Sequence, residues 1–253
     1  MKCISKILLA SIGFALAGAA GADSHEGPSF RPLEIYACNF LDGKDADDLT
    51  RVIARWNAWM DANDAPEYAA FLLTPIFHSA EITFDIAWVG LNPDGATMGA
   101  GTELWLSKGG EIRAEFEKVV DCNVHTNFAL LDIKQPAEEG DGAGPVSFTD
   151  CTVKEGREID EAIDAIRGWT EHEAEHGIDA AHWAMFPAFG ESSEADYDFK
   201  WVSAYPDYPA FGKYYDHFGT GGGWKVARDT YQRVMDCDSD RLYNGQRVRG
   251  PAE

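Results

Sequence analysis

The sequence predicts an α+β protein, a tandem duplication of a β-α-β-β-α-β unit forming an intramolecular pseudo-dimer. Three observations carry that expectation. Displaced by 113 positions, the chain matches itself: Cys38 falls on Cys151, Gly43 on Gly156, Asp47 on Asp160, Ile53 on Ile166 and Trp56 on Trp169. At the same displacement FDIAWVGLNPD (84–94) falls on YDFKWVSAYPD (197–207), which pairs Asp85 with Asp198, Trp88 with Trp201 and Asp94 with Asp207. With two residues inserted, VVDC (119–122) then falls on VMDC (234–237). Three matches in one order, with tryptophans and cysteines paired, mark a duplication.

Each copy opens on a run of strand formers, LEIYACNFL (33–41) or PVSFTDCTV (145–153). An acidic helix start follows, where carboxylates suit the partly positive end. Leu49, Val52, Ile53 and Trp56 then recur at helical spacing, as do Ala162, Ile163, Ile166 and Trp169. Second strands are expected over 68–77 and 179–189, and third strands over 82–90 and 196–204. Pro-Asp next opens a turn, and its Asp suits a helix N-cap. A glycine-interrupted helical region leads to Asp-Cys and a last strand, clearest as HTNFALLDI (125–133). This order is the ferredoxin-like split motif.

In that topology the end of strand one lies beside the start of strand four, so Cys38–Cys122 and Cys151–Cys237 are the expected bridges. The competing pairing, Cys38–Cys151 with Cys122–Cys237, would staple the copies together. Zinc held by cysteines would need closer spacing, such as C-x-x-C, which the chain lacks.

Lys2 and Lys6 precede a charge-free stretch, 7–22, that ends Ala20-Gly21-Ala22. This is the pattern of a signal peptide over 1–22, and it predicts a secreted or periplasmic protein. The expected organisation continues with a first repeat over 23–133, a Gly/Pro/acid-rich linker over 134–145 and a second repeat over 146–249. Acidic residues number 43 against 21 basic, for a net charge of −22, which argues against nucleic-acid and anionic-membrane partners.

Two tandem units of this grammar resemble the dimeric α/β-barrel superfamily, which includes the antibiotic-biosynthesis-monooxygenase-like proteins. The resemblance covers roughly residues 33–249 and lies in element order. It implies two ferredoxin-like units packed sheet to sheet about a two-fold axis, here on one chain. Its members include monooxygenases, haem-degrading enzymes and binding proteins, so the fold alone leaves the chemistry open.

His172-Glu173-Ala174-Glu175-His176 spells H-E-x-x-H, which on a helix puts two imidazoles on one face with Glu173 as a candidate general base. His182 stands at the third-ligand spacing of the metzincins, so zinc is a candidate cofactor on His172, His176 and His182. Against a peptidase, Asp179 replaces the turn glycine, and the segment sits in a duplicated unit whose other copy carries Trp59 and Asn63 in place of the helix histidines. A partly exposed helix face with ordinary histidines is the alternative. Trp88, Trp201, Asp85 and Asp198 are candidates for pseudo-symmetric ligand pockets, joined by Trp183 and Tyr205. Their structural alternative is core tryptophan plus carboxylates that satisfy backbone. The second repeat, richer in tyrosine and histidine, is the expected location of any site. The functional expectation is an exported small-ligand-binding protein with oxygenase-like activity by resemblance. The alternatives are a zinc hydrolase and a structural or interaction protein.

Overall fold

The computed structural model describes residues 29–135 and 142–250. The expected signal peptide and Cys3 lie outside the described residues. In the first copy β1 (Phe30–Phe40) leads through α1 (Ala46–Ala62) to β2 (Ala69–Phe77), β3 (Ile86–Leu91), α2 (Gly95–Lys108), α3 (Gly110–Phe116) and β4 (Val120–Lys134). The second copy runs β5 (Ala143–Val153), α4 (Ile159–Glu175), β6 (Ala181–Phe189), β7 (Phe199–Ala204), α5 (Tyr208–Phe218), α6 (Gly223–Asp229), β8 (Met235–Cys237) and β9 (Arg241–Arg249). Strands β4 and β5 extend into the segment read as linker and leave a shorter connection between them.

Local chemistry repeats with the elements. Asp94 and Asp207 each cap a helix, accepting at 2.7 Å from the backbone N–H of Thr97 and of Ala210. Asp85 and Asp198 also act as a pair: each accepts a backbone N–H, from Phe40 at 2.9 Å and from Val153 at 2.7 Å. These two carboxylates tie the third strand of each copy to its first, which is the structural alternative to a ligand role.

The strands close into one antiparallel barrel. Within the first copy the order is β4-β1-β3-β2, and within the second β6-β7-β5-β9. The copies meet where β2 pairs with β9 and where β4 pairs with β6. The two half-sheets pack face to face across the barrel interior, as expected, and they also join edge to edge, because an isolated half would leave two unpaired strand edges. Side chains reinforce one seam: Asn57 Nδ2 donates to the Val248 carbonyl at 3.0 Å, and the Arg249 guanidinium lies 2.9 Å from Asp61. The last strand of the second copy is split into β8 and β9. Between them Asp238 accepts from the Asp150 N–H at 2.7 Å and from the Thr149 hydroxyl at 2.9 Å, which draws the chain out of the ladder.

Alternation along the strands separates the barrel interior from the two helix-facing layers. Leu33, Val89, Phe128, Phe148, Met185 and Val202 fill the barrel interior. Trp56, Val52, Ile53 and Ile86 fill the layer between the first half-sheet and its helices, and Trp169, Ile166, Phe199 and Tyr231 fill the second. Cys38 is bonded to Cys122 and Cys151 to Cys237, at equivalent positions and within one copy each. The two bridges close loops with sequence separations of 84 and 86. Replacing Cys38 and Cys122 together by alanine is expected to lower unfolding free energy by about 4 kcal/mol, measured by urea denaturation.

Candidate functional site

The first copy contains a cavity of roughly 820 Å³ between its half-sheet and helices α1 to α3. Helix α2, GATMGAGTELWLSK, covers the cavity and lends it Met98, Leu104, Trp105 and Leu106. Trp56, Trp59, Tyr68, Trp88, Trp105 and Phe116 form an aromatic wall, with Leu72, Ile86 and Met60 beneath. Trp88 makes edge contacts with Trp56 and Phe116, at centroid distances of 4.9 and 6.0 Å.

One end of this apolar chamber is polar. Alternation places Glu34 and Tyr36 of β1, and His125 and Asn127 of β4, on the helix-facing side of the sheet. The Tyr68 hydroxyl donates to Glu34 Oε1 at 2.7 Å and accepts from Trp88 Nε1 at 2.9 Å. His125 Nε2 donates to Glu34 Oε2 at 2.8 Å, and its ring stacks on Tyr36 at 3.7 Å. With Nε2–H committed to the carboxylate, neutral His125 keeps its lone pair on Nδ1. A carboxylate behind an imidazole fixes its tautomer, which leaves Nδ1 as the nitrogen that could accept a hydrogen bond or proton from a bound ligand. Tyr68 depends on a glycine: a Cβ on Gly90 would lie 1.7 Å from its hydroxyl.

The second copy has filled the same space. Glu173 stands where the first copy has Met60, and Ser203 where it has Gly90. His182, paired with Ser203, replaces Ala70, paired with Gly90. Trp201 packs on Tyr231 at 5.0 Å and Trp169 on Tyr231 at 5.5 Å. Ser147 and Thr149 replace Glu34 and Tyr36. The large aromatic-lined cavity lies in the first repeat, whereas the sequence expectation placed any site in the second. A separate open depression of roughly 600 Å³ by Asp150, Glu191 and Asp236 has acidic walls and no comparable aromatic surface.

No protein-family model matches the chain, and no curated protein matches it in sequence. Solved structures do match. A candidate monooxygenase from Lactobacillus acidophilus superposes with a TM-score of 0.56 at 9% identity, over 88% of this chain and 99% of the other. An anthrone oxidase-like protein matches with a TM-score of 0.53 at 11% identity, over 88% and 94%. A protein described as a candidate chlorite dismutase matches with a TM-score of 0.52 at 10% identity, over 89% and 96%. The chain has the dimeric α/β-barrel fold. At these identities the likeness is one of fold.

Within the dimeric α/β-barrel, the residues singled out from sequence fall into separate environments. Trp88 lines the cavity, whereas Trp201 is buried in the filled second copy and donates to His182 Nδ1 at 3.1 Å. Trp183 belongs to the barrel interior, because alternation along β6 turns it away from the helices. Tyr205 is buried against Phe211 and Tyr214.

The H-E-x-x-H segment is divided in the same way. Glu173 is fully buried, and His182 Nε2 donates to its Oε2 at 2.7 Å. Because the Trp201 indole can only donate, His182 Nδ1 is an acceptor and the proton sits on Nε2. The Ser203 hydroxyl lies 3.0 Å from the same Nδ1. Glu173 and His182 thus form a core network, in which Glu173 Oε1 has no partner among the described residues. Neither is placed to serve a zinc on the helix surface, which corrects both the third ligand and the general base of the metzincin reading. His172 and His176 instead meet His217, which sequence spacing did not indicate. Burial, then the charges of His176 and His172, lower the pKa of His217.

Glu34, Tyr36, Tyr68, His125 and Asn127 were not singled out from sequence. The available signal was a charged and a titratable residue at alternating positions on strand faces that helices cover.

Two outcomes test these environments. His182→Ala leaves a buried carboxylate without its partner and is expected to cost roughly 3–5 kcal/mol. Adding Glu173→Met restores the Met/Ala pair of the first copy and should recover part of that loss in urea unfolding. The second outcome concerns tyrosines. Burial, followed by Glu34, raises the hydroxyl pKa of Tyr36 and Tyr68, and burial does the same for Tyr205, Tyr214 and Tyr231. The native state then holds phenolic protons that the unfolded chain releases above about pH 10, so stability falls as pH rises past that value. Tyrosinate absorbance from these residues is expected to appear together with loss of near-UV circular dichroism, not before it.

Proposed function

We propose that this is an exported protein that binds a flat, largely apolar small molecule in the first-copy cavity, and that the Glu34–His125 pair acts on it in oxygenase-type chemistry. The observation that carries the reading is the aromatic-lined cavity of roughly 820 Å³ in the first copy, with Glu34 and His125 in its wall. Pockets of this size with a few convergent polar groups are the usual form of small-molecule sites. A phenolic or enolisable ligand would place its hydroxyl against His125 Nδ1, with its rings between Trp59, Trp88 and Trp105. Removal of that proton by His125, with Glu34 stabilising the imidazolium, would enrich the ligand's ring in electrons for reaction with dioxygen. The names of the two oxidase-type structural relatives support this direction. The N-terminal segment and the two disulfides support export to an oxidising compartment.

A tricyclic enolisable ketone such as anthrone is a suitable probe. It is expected to quench tryptophan fluorescence saturably, because four tryptophans border the cavity. Gly101, on α2, borders the cavity, and a Cβ there would meet no atom within 4 Å. Gly101→Leu should therefore weaken quenching at least tenfold. It should leave the fold intact and gain roughly 0.8 kcal/mol of helix propensity. Oxygen uptake with the probe should fall in Glu34→Gln and His125→Ala while quenching persists. Quenching unchanged by Gly101→Leu would place the ligand elsewhere.

A further inference from the structure

The strongest feature outside the cavity is a histidine cluster on the second copy's helices. His172 lies in the last turn of α4, His176 is its C-cap residue, and His217 lies in the last turn of α5. Each ring offers one nitrogen within 4.8 Å of those of the other two. The Nε2 atoms of His172 and His217 are 3.0 Å apart. Two imidazole nitrogens on one tetrahedral zinc, at bond lengths near 2.0–2.1 Å, lie about 3.3 Å apart, so this pair is close to ligand spacing already. His176 Nδ1 donates to the His172 carbonyl at 2.8 Å, which leaves the lone pair of the neutral ring on Nε2. A backbone carbonyl holding one imidazole nitrogen is the usual outer support of a metal-bound histidine.

Three further observations separate this cluster from an ordinary helix face. Both helices present their C-terminal, partly negative ends to it, which favours a cation. In the first copy the equivalent positions are Trp59, Asn63 and Leu104, where the same helix pair is joined by an edge contact between Trp59 and Trp105 at 5.6 Å. The second copy has exchanged that apolar joint for three imidazoles. The glycine run after α5 also finds a role here. A Cβ on Gly221 would lie 2.6 Å from the His217 carbonyl and 3.0 Å from its Nδ1, and one on Gly223 would lie 3.1 Å from its Cδ2. The chain therefore folds closely over His217 and holds its ring in place.

We infer that His172, His176 and His217 bind one borderline transition-metal dication of the zinc class, clamping the ends of α4 and α5 together. Three neutral nitrogen ligands suit zinc, cobalt, nickel or copper and not calcium or magnesium. Three protein ligands leave a fourth position for water or another ligand. Glu173 plays no part in the site, since it is committed to His182 in the core.

The test uses the purified protein with both disulfides intact. Equilibrium dialysis against zinc is expected to retain one ion per chain, and cobalt should give the visible absorption of a low-symmetry site. His217→Ala and His176→Gln should each weaken zinc binding at least a hundredfold. The remote His78→Ala should leave binding unchanged. Zinc should raise the melting temperature of the wild type but not of the two site variants. The His176→Gln variant replaces an exposed side chain, so the test stands even if His217→Ala fails to fold. Failure of the wild type to retain zinc, or retention unaffected by either site variant, would overturn the assignment.

Discussion

Strands β2 and β4 would be bare edges in an isolated first half, and β6 and β9 would be bare in the second. Their pairing across the two seams is the constraint on which the rest of the structure depends. Closure satisfies the edge N–H and C=O groups and creates the barrel interior occupied by Phe128, Phe148 and Met185. It also turns the other face of every strand toward a helical layer. Each copy therefore owns one space between sheet and helices, and what fills that space is set locally.

The two copies use that freedom in opposite ways. They share caps, disulfides, strand ties and a tryptophan on the third strand. In the first, Gly90 makes room for Tyr68. The result is an aromatic chamber with Glu34 and His125 at one end. In the second, His182, Glu173, Tyr214 and Tyr231 fill the volume, and polar chemistry moves outward to the helix ends. Fusion of the copies on one chain permits this asymmetry, which two identical subunits could not express.

Much of the architecture was legible in the sequence because a duplication writes every element twice. The cysteine positions within that topology led directly to the pairing that the structure contains. The location of the cavity was not legible, since it depends on how helices and sheet pack and on the lack of a Cβ at Gly90. Residue richness in the second copy pointed the other way; of its tyrosines, Tyr205 and Tyr231 are buried, whereas Tyr208 and Tyr215 are exposed. The H-E-x-x-H spacing did place His172 and His176 together, as helical geometry requires. It could not report that β6 carries His182 into the core, nor that α5 brings His217 to the helix pair from 41 positions beyond His176.

Each disulfide stays inside its own half, and only the short segment between β4 and β5 joins the halves covalently. A single proteolytic cut there would convert the protein into a noncovalent heterodimer, each piece internally cross-linked and bearing two adhesive borders for the other. The molecule thus carries within one gene product the logic of a split protein, in which reassembly of two unequal fragments would restore the chamber and the histidine cluster together.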